Sequence, residues 1–158
     1  MKSPFTLCLA AIVLALSPSA TQAQNKAPEL SDIEERLVPA VQKEFSTWKY
    51  TPVQPLLDSP DVLIDQWRDE NISVSITIVR FSSNEEAQKN LHELTTHLKA
   101  VKSSSESGEE EYLIPTRGSI VYRKKNFTVN LVVRANGDQQ EKLVKQIKQL
   151  VSRAITKS

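Results

Sequence analysis

Trp67-Arg68-Asp69-Glu70-Asn71-Ile72-Ser73-Val74-Ser75-Ile76 aligns without a gap on Tyr122-Arg123-Lys124-Lys125-Asn126-Phe127-Thr128-Val129-Asn130-Leu131. Both stretches run aromatic, Arg, two charges, Asn, apolar, hydroxyl, Val, small polar, apolar. The polar centre suits a tight turn, and the alternation after it suits a strand with one buried face. A helical pattern follows each copy. The repeat therefore predicts two ββα units, spanning residues 61–101 and 111–157.

Pairing each strand with its neighbour across the shortest turn sets Trp67 opposite Ile72 and Leu63 opposite Ile76. In the second copy it sets Tyr122 opposite Phe127 and Ile120 opposite Val129. Side chains alternate with a period of two, so Leu63, Trp67, Val74, Ile76 and Ile78 join Ile120, Tyr122, Val129, Leu131 and Val133 on one apolar face. The other face carries Gln66, Ser73, Ser75, Thr77, Arg123, Thr128, Asn130 and Arg134, interspersed with Ile64, Val79, Val121 and Val132. A polar face of this kind suits an antiparallel sheet open to water.

Amphipathic helices are expected on the apolar face. Ser83-Asn84-Glu85-Glu86 has the form of a capping box, and Ala87, Leu91, Leu94, Leu98 and Val101 follow as one stripe. Asp138 begins a second helix with Leu143, Ile147, Leu150, Val151, Ala154 and Ile155 as its buried face. Earlier in the chain, Ser31-Asp32-Ile33-Glu34 opens a helix over 31–46, carrying Ile33, Leu37, Ala40, Val41 and Phe45. Pro39 is expected to kink or divide it. Pro52, Pro55 and Pro60 mark an extended connection, and Glu111 to Ile114 an edge strand. The expected architecture is an α+β two-layer sandwich: a four- or five-stranded antiparallel sheet from a duplicated ββα unit, both repeat helices on one face, plus the N-terminal helix. Residues 31–158 form a single domain.

Residues 1–23 read as a signal peptide. Lys2 supplies the positive start and Phe5 to Leu16 the apolar run, which is short of the roughly 20 residues a membrane span needs. Thr21-Gln22-Ala23 offers the cleavage site, and residues 24–30 form a flexible leader. The protein is thus expected to be exported, to the periplasm or outside the cell, with no stable membrane span after cleavage. Cleavage removes Cys8, the one cysteine of the chain, so the mature protein has no disulfide, thiolate or Cys–zinc chemistry.

The chain holds 20 Lys plus Arg against 19 Asp plus Glu. That balance lacks the clustered basic excess that nucleic acid binding requires. His92 and His97 are five apart, roughly 140° around a helix, and do not converge on one metal. No metal site and no cofactor is expected. Ser46-Thr47-Trp48-Lys49 matches S-x-x-K in letters but lacks the companion motifs of a serine enzyme. Asp58, Asp61, Asp65, Asp69 and Glu70 supply carboxylates without an anchored acid–base pair. Asn71-Ile72-Ser73 and Asn126-Phe127-Thr128 match the glycosylation sequon, yet Asn at both positions serves a hairpin turn. The turns are oppositely charged, Asp69-Glu70 against Lys124-Lys125.

A complete core pattern without a catalytic constellation points to an exported, non-catalytic binding or interaction module. Its candidate contact residues are Gln66, Ser73, Ser75, Thr77, Arg123, Thr128, Asn130 and Arg134. The alternative is a small-ligand or lipid binder with an apolar pocket between sheet and helices, near Trp67, Tyr122 and Phe127. A weaker alternative is an envelope hydrolase using Ser46 or His97. The partner is a protein or a small ligand of unknown identity.

Overall fold

A computed structural model describes residues 28–54, 59, 61–103, 110–114 and 118–156. The proposed signal peptide and most of the leader lie outside the described residues. Helix α1 (Leu30–Glu44) comes first, followed by β1 (Lys49–Val53), β2 (Val62–Arg68) and β3 (Ser73–Arg80). Then come α2 (Asn84–His97), β4 (Val101–Ser103), β5 (Glu111–Ile114), β6 (Ser119–Lys124), β7 (Phe127–Arg134) and α3 (Asp138–Thr156). The fold is α+β, and the strands form one antiparallel sheet in the order β1-β2-β3-β7-β6-β5-β4.

The sheet has seven strands rather than four or five. Two of the added strands, β1 and β4, are its edges. β1 holds Pro52, which an edge strand accommodates because one row of its amides has no ladder partner to lose. β4 arises because α2 stops at His97: Lys99 takes a positive φ of 51°, and the chain turns out into Val101 instead of carrying it on the helix stripe.

Both aligned segments form hairpins of equal register. Trp67 lies opposite Val74 and Tyr122 opposite Val129. Each register differs by two residues from the expected one. In the first copy the turn needs residues 69–72, with the Asp69 amide donating to the Ile72 carbonyl at 2.9 Å. In the second, Lys125 takes the left-handed position with φ 54°, so the tight turn is Lys125-Asn126 and the ladder begins at Phe127. An even shift returns every side chain to the same face, so the expected faces survive.

The equivalence of the two copies stops at the strands, because their helices lie on opposite faces. α3 packs on the apolar face beside α1, and their stripes cover Trp67, Ile76, Tyr122, Leu131 and Val133. α2 lies on the other face, where Leu91 meets Val121 and Ile114, flanked by Leu94, Leu98 and Tyr112. The helices thus flank the sheet on both sides, and the two-layer expectation is corrected. α1 presents Leu30, Ile33, Leu37 and Val41, and this broad stripe takes the place expected for α2. α2 offers only Ala87, Leu91 and Thr95 as fully buried positions, enough for a face that is partly polar.

α1 is capped two residues earlier than the expected Ser31. Its N-cap is Glu29, whose amide is bonded to the Asp32 carboxylate at 3.3 Å in a reciprocal capping box. The helix runs unbroken through Pro39, which sits on its exposed side. Ser83 caps α2 as expected, its Oγ accepting from the Glu86 amide at 3.2 Å. Glu86 itself turns back to Ser82 rather than to Ser83.

Candidate functional site

The eight proposed contact residues share one face of the sheet, but not all of them are open to solvent. α2 takes part of that face. Thr128 is buried beneath the helix, its hydroxyl donating to the Ala87 carbonyl at 3.2 Å. Arg123 donates to the Lys125 carbonyl at 3.2 Å and holds its own turn. Asn130, between Val121 and Thr77, buries its side-chain oxygen. Ser73 and Arg134 lie opposite each other at the end of the β3–β7 ladder. Gln66, Ser75 and Thr77 remain together and half-exposed on β2 and β3, next to Ile64 and Val132. The physical cause is the covering of one half of this face, which alternation along a strand does not disclose.

The other sequence candidates separate. Ser46 is in the exposed turn after α1, while His92 and His97 are exposed on α2 at the opposite face. Thr47 from the S-x-x-K stretch donates to Asp69 at 2.9 Å, which ties that turn to the β2–β3 tip. Asn126 donates to the Phe81 carbonyl at 2.7 Å, a structural use of the second sequon. The acidic tip lies beside Arg134 and the basic tip beside Arg80, so the two tips are at opposite ends of the sheet. Trp67, Tyr122 and Phe127, the neighbourhood expected for the ligand-binding alternative, are fully buried. Among the described residues, no group of three or more His, Cys, Asp or Glu could hold a metal ion, and no helix is long and apolar enough to cross a membrane.

A cleft of about 390 Å³ opens elsewhere on the α1–α3 face, between the N-terminal half of α3 and strands β4 to β6. Leu113, Ile120 and Val144 give it an apolar floor. Leu113 is 43% exposed, and its register partner Val101 is 58% exposed; these are the large hydrophobics left in solvent among the described residues. Glu111 lines the cleft and is ion-paired with Lys148, whose ammonium lies 5.3 Å from the centre of the Tyr122 ring. Glu141 and Lys145 pair at the rim at 2.9 Å.

Gly118 shapes one wall. Its φ is 57°, and a Cβ there would lie 1.7 Å from Gln140 Nε2, which donates to the Gly118 carbonyl at 3.2 Å. Gly118→Ala is expected to cost about 2 kcal/mol, from left-handed strain and the displaced hydrogen bond. In a Gln140→Ala background the same change should cost only about 1 kcal/mol, because the strain term alone remains. Denaturant midpoints of the four proteins measure the difference.

A polar cluster lies under α1. The Tyr50 hydroxyl is 2.7 Å from Asp65 Oδ1 and 2.8 Å from Glu34 Oε1. Asp65 is fully buried on the apolar face, and its Oδ2 has no hydrogen-bond partner. Burial pushes the Asp65 carboxyl up to about 6; the Tyr50 hydrogen bond opposes this and the Glu34 charge adds to it. Burial, with the two adjoining carboxylates, holds the Tyr50 phenol well above its usual range. Farther along, Arg80 bridges Glu29 at the start of α1 and Asp61 before β2. The signal for this cluster was present in the sequence: Asp65 occupies an apolar-face position between Leu63 and Trp67. Its partners were not readable, because Glu34 and Tyr50 reach it from other elements.

Comparison with protein-family models, with curated proteins and with solved structures finds no match to this chain.

Proposed function

We propose that this is an exported, non-catalytic binding module that holds a small apolar ligand in the cleft between α3 and β4–β6. The observation that carries the reading is the exposure of Leu113 at that cleft with Val101 beside it. Both side chains pair across an edge of the sheet that α3 leaves open. Large hydrophobics left in solvent cost free energy, and an apolar occupant would recover it. The volume lies within the range of roughly 300–1,000 Å³ common for small-molecule sites, with a few polar groups to orient the ligand. Export rests on the reading of residues 1–23.

A second reading keeps the half-exposed Gln66, Ser75 and Thr77 as contacts for a protein partner. One experiment separates them. Protein purified from its own host is weighed by native mass spectrometry, and binding of a neutral apolar fluorophore such as N-phenylnaphthylamine is titrated. Val144→Trp, which fills the cleft, is expected to remove the retained mass and weaken the fluorophore at least tenfold. Joint alanine replacement of Gln66, Ser75 and Thr77 should leave both unchanged. Fluorophore binding that survives Val144→Trp, or no binding by the parent protein, removes the cleft from consideration.

A further inference from the structure

A phenol carries one hydrogen, and the Tyr50 oxygen lies within hydrogen-bond reach of two carboxyl groups. Both contacts are hydrogen bonds only if a second hydrogen is present, held by one carboxyl and directed at the phenol oxygen. Asp65 is the acid suited to hold it. It is fully buried, and its Oδ2 meets no donor that would stabilise a negative charge. Glu34 lies half-exposed on α1, where water can solvate its ionised form.

Among the described residues, no hydrogen bond or ion pair joins Asp65 to a cation. Pro52 of β1 and Ile76 of β3 lie opposite Asp65 in the sheet. Asp61, the other acid toward this end of β2, is bound by Arg80, which also holds Glu29. Arg36 of α1 is roughly 200° around the helix from Glu34, and its Nε donates to the Asp32 carbonyl. From α3, the core contributes Leu143, Ile147 and Val151, all apolar.

We infer that Glu34, Tyr50 and Asp65 form a proton-operated latch, which fastens α1 to β1 and β2 while Asp65 is neutral and loosens it when Asp65 ionises. In the neutral state Asp65 donates to the phenol and the phenol donates to Glu34, so one chain of hydrogen bonds crosses from strand to helix. In the ionised state two negative carboxylates compete for one hydrogen in a buried site. α1 then loses its polar tie to the sheet, and its stripe of Leu30, Ile33, Leu37 and Val41 becomes accessible.

The sign follows from the raised carboxyl, 3.8 to about 6. The stabilisation is complete below about pH 4, is lost as pH rises through about 6, and changes little above that. Hydrogen exchange of the α1 amides in the mature full-length chain measures it, after correction for intrinsic exchange rates. The α1 opening constant is expected to rise on the order of 100-fold between pH 4 and pH 8. Asp65→Asn should flatten that dependence. If Asp65→Asn does not fold, Glu34→Gln serves, and should move the transition to lower pH because it removes the neighbouring charge and adds a donor. The Asp65 carboxyl carbon, followed by NMR, should titrate near pH 6. Titration at the ordinary aspartate value, or equal α1 protection at both pH values, overturns the latch.

Discussion

Replacing Trp67 by alanine is expected to cost about 3–5 kcal/mol, a large share of the whole stability of a domain this size. Trp67 is fully buried on β2, between Tyr50 of β1 and Val74 of β3. Its ring centre lies 5.3 Å from that of Tyr50, in a tilted contact. Removing it leaves a void where α1 and the sheet meet, and the flanking ladders restrain collapse into that void. The indole Nε1 is buried without a hydrogen-bond partner. An unsatisfied donor of that kind carries a penalty of about 1–3 kcal/mol in the parent protein. Trp67→Phe loses area but also removes that penalty, so it should cost no more than about 1 kcal/mol. Urea midpoints of the parent and both variants test this. Equal losses for the two variants would show that packing of the second ring dominates.

Glu111→Ala is expected to cost about 2–3 kcal/mol, and Glu111→Leu combined with Lys148→Met much less. Glu111 on β5 and Lys148 on α3 form an ion pair that is 13% and 18% exposed at the side chains. The value lies below that for fully buried pairs because some water reaches both groups. Removing the acid alone leaves the ammonium mostly desolvated, with the Tyr122 ring as its remaining partner. Removing both charges together and restoring apolar volume avoids that penalty. The double-mutant cycle should therefore show a coupling of at least 1 kcal/mol. Singles that simply add would mean that the pair contributes nothing beyond its separate side chains. Since Glu111 lines the cleft, fluorophore titration of the double variant also reports whether this pair orients the ligand.

The hairpins and the core face were legible in the letters because strand alternation is local. Trp67, Val74, Tyr122 and Val129 had to share a face whichever even register the turns selected. The turns themselves were less legible: Lys125, not the neighbouring Asn, adopts the positive φ, and the pairing moves by two residues. The α2 stripe was also readable, but its destination was not. Ala87 and Leu91 are compatible with either face, and the broader stripe of α1 occupied the one expected for them. With α2 displaced, Thr128 changed from a candidate contact to a buried hydroxyl bonded to Ala87. The cleft depends on how far α3 reaches across β4 to β6, a distance no pattern along the chain contains.

The order of residues by itself determined which side chains of each strand point together, because successive Cβ atoms alternate about the backbone. It also determined that Asp65 would enter an apolar layer. Only tertiary packing decided which helix covers which face, since burial of apolar area rewards coverage without regard to its source. Packing likewise decided that Glu34 and Tyr50 meet Asp65. Hydrogen bonds need their partners within about 3 Å, and residues far apart in the chain reach that distance only through the assembled fold.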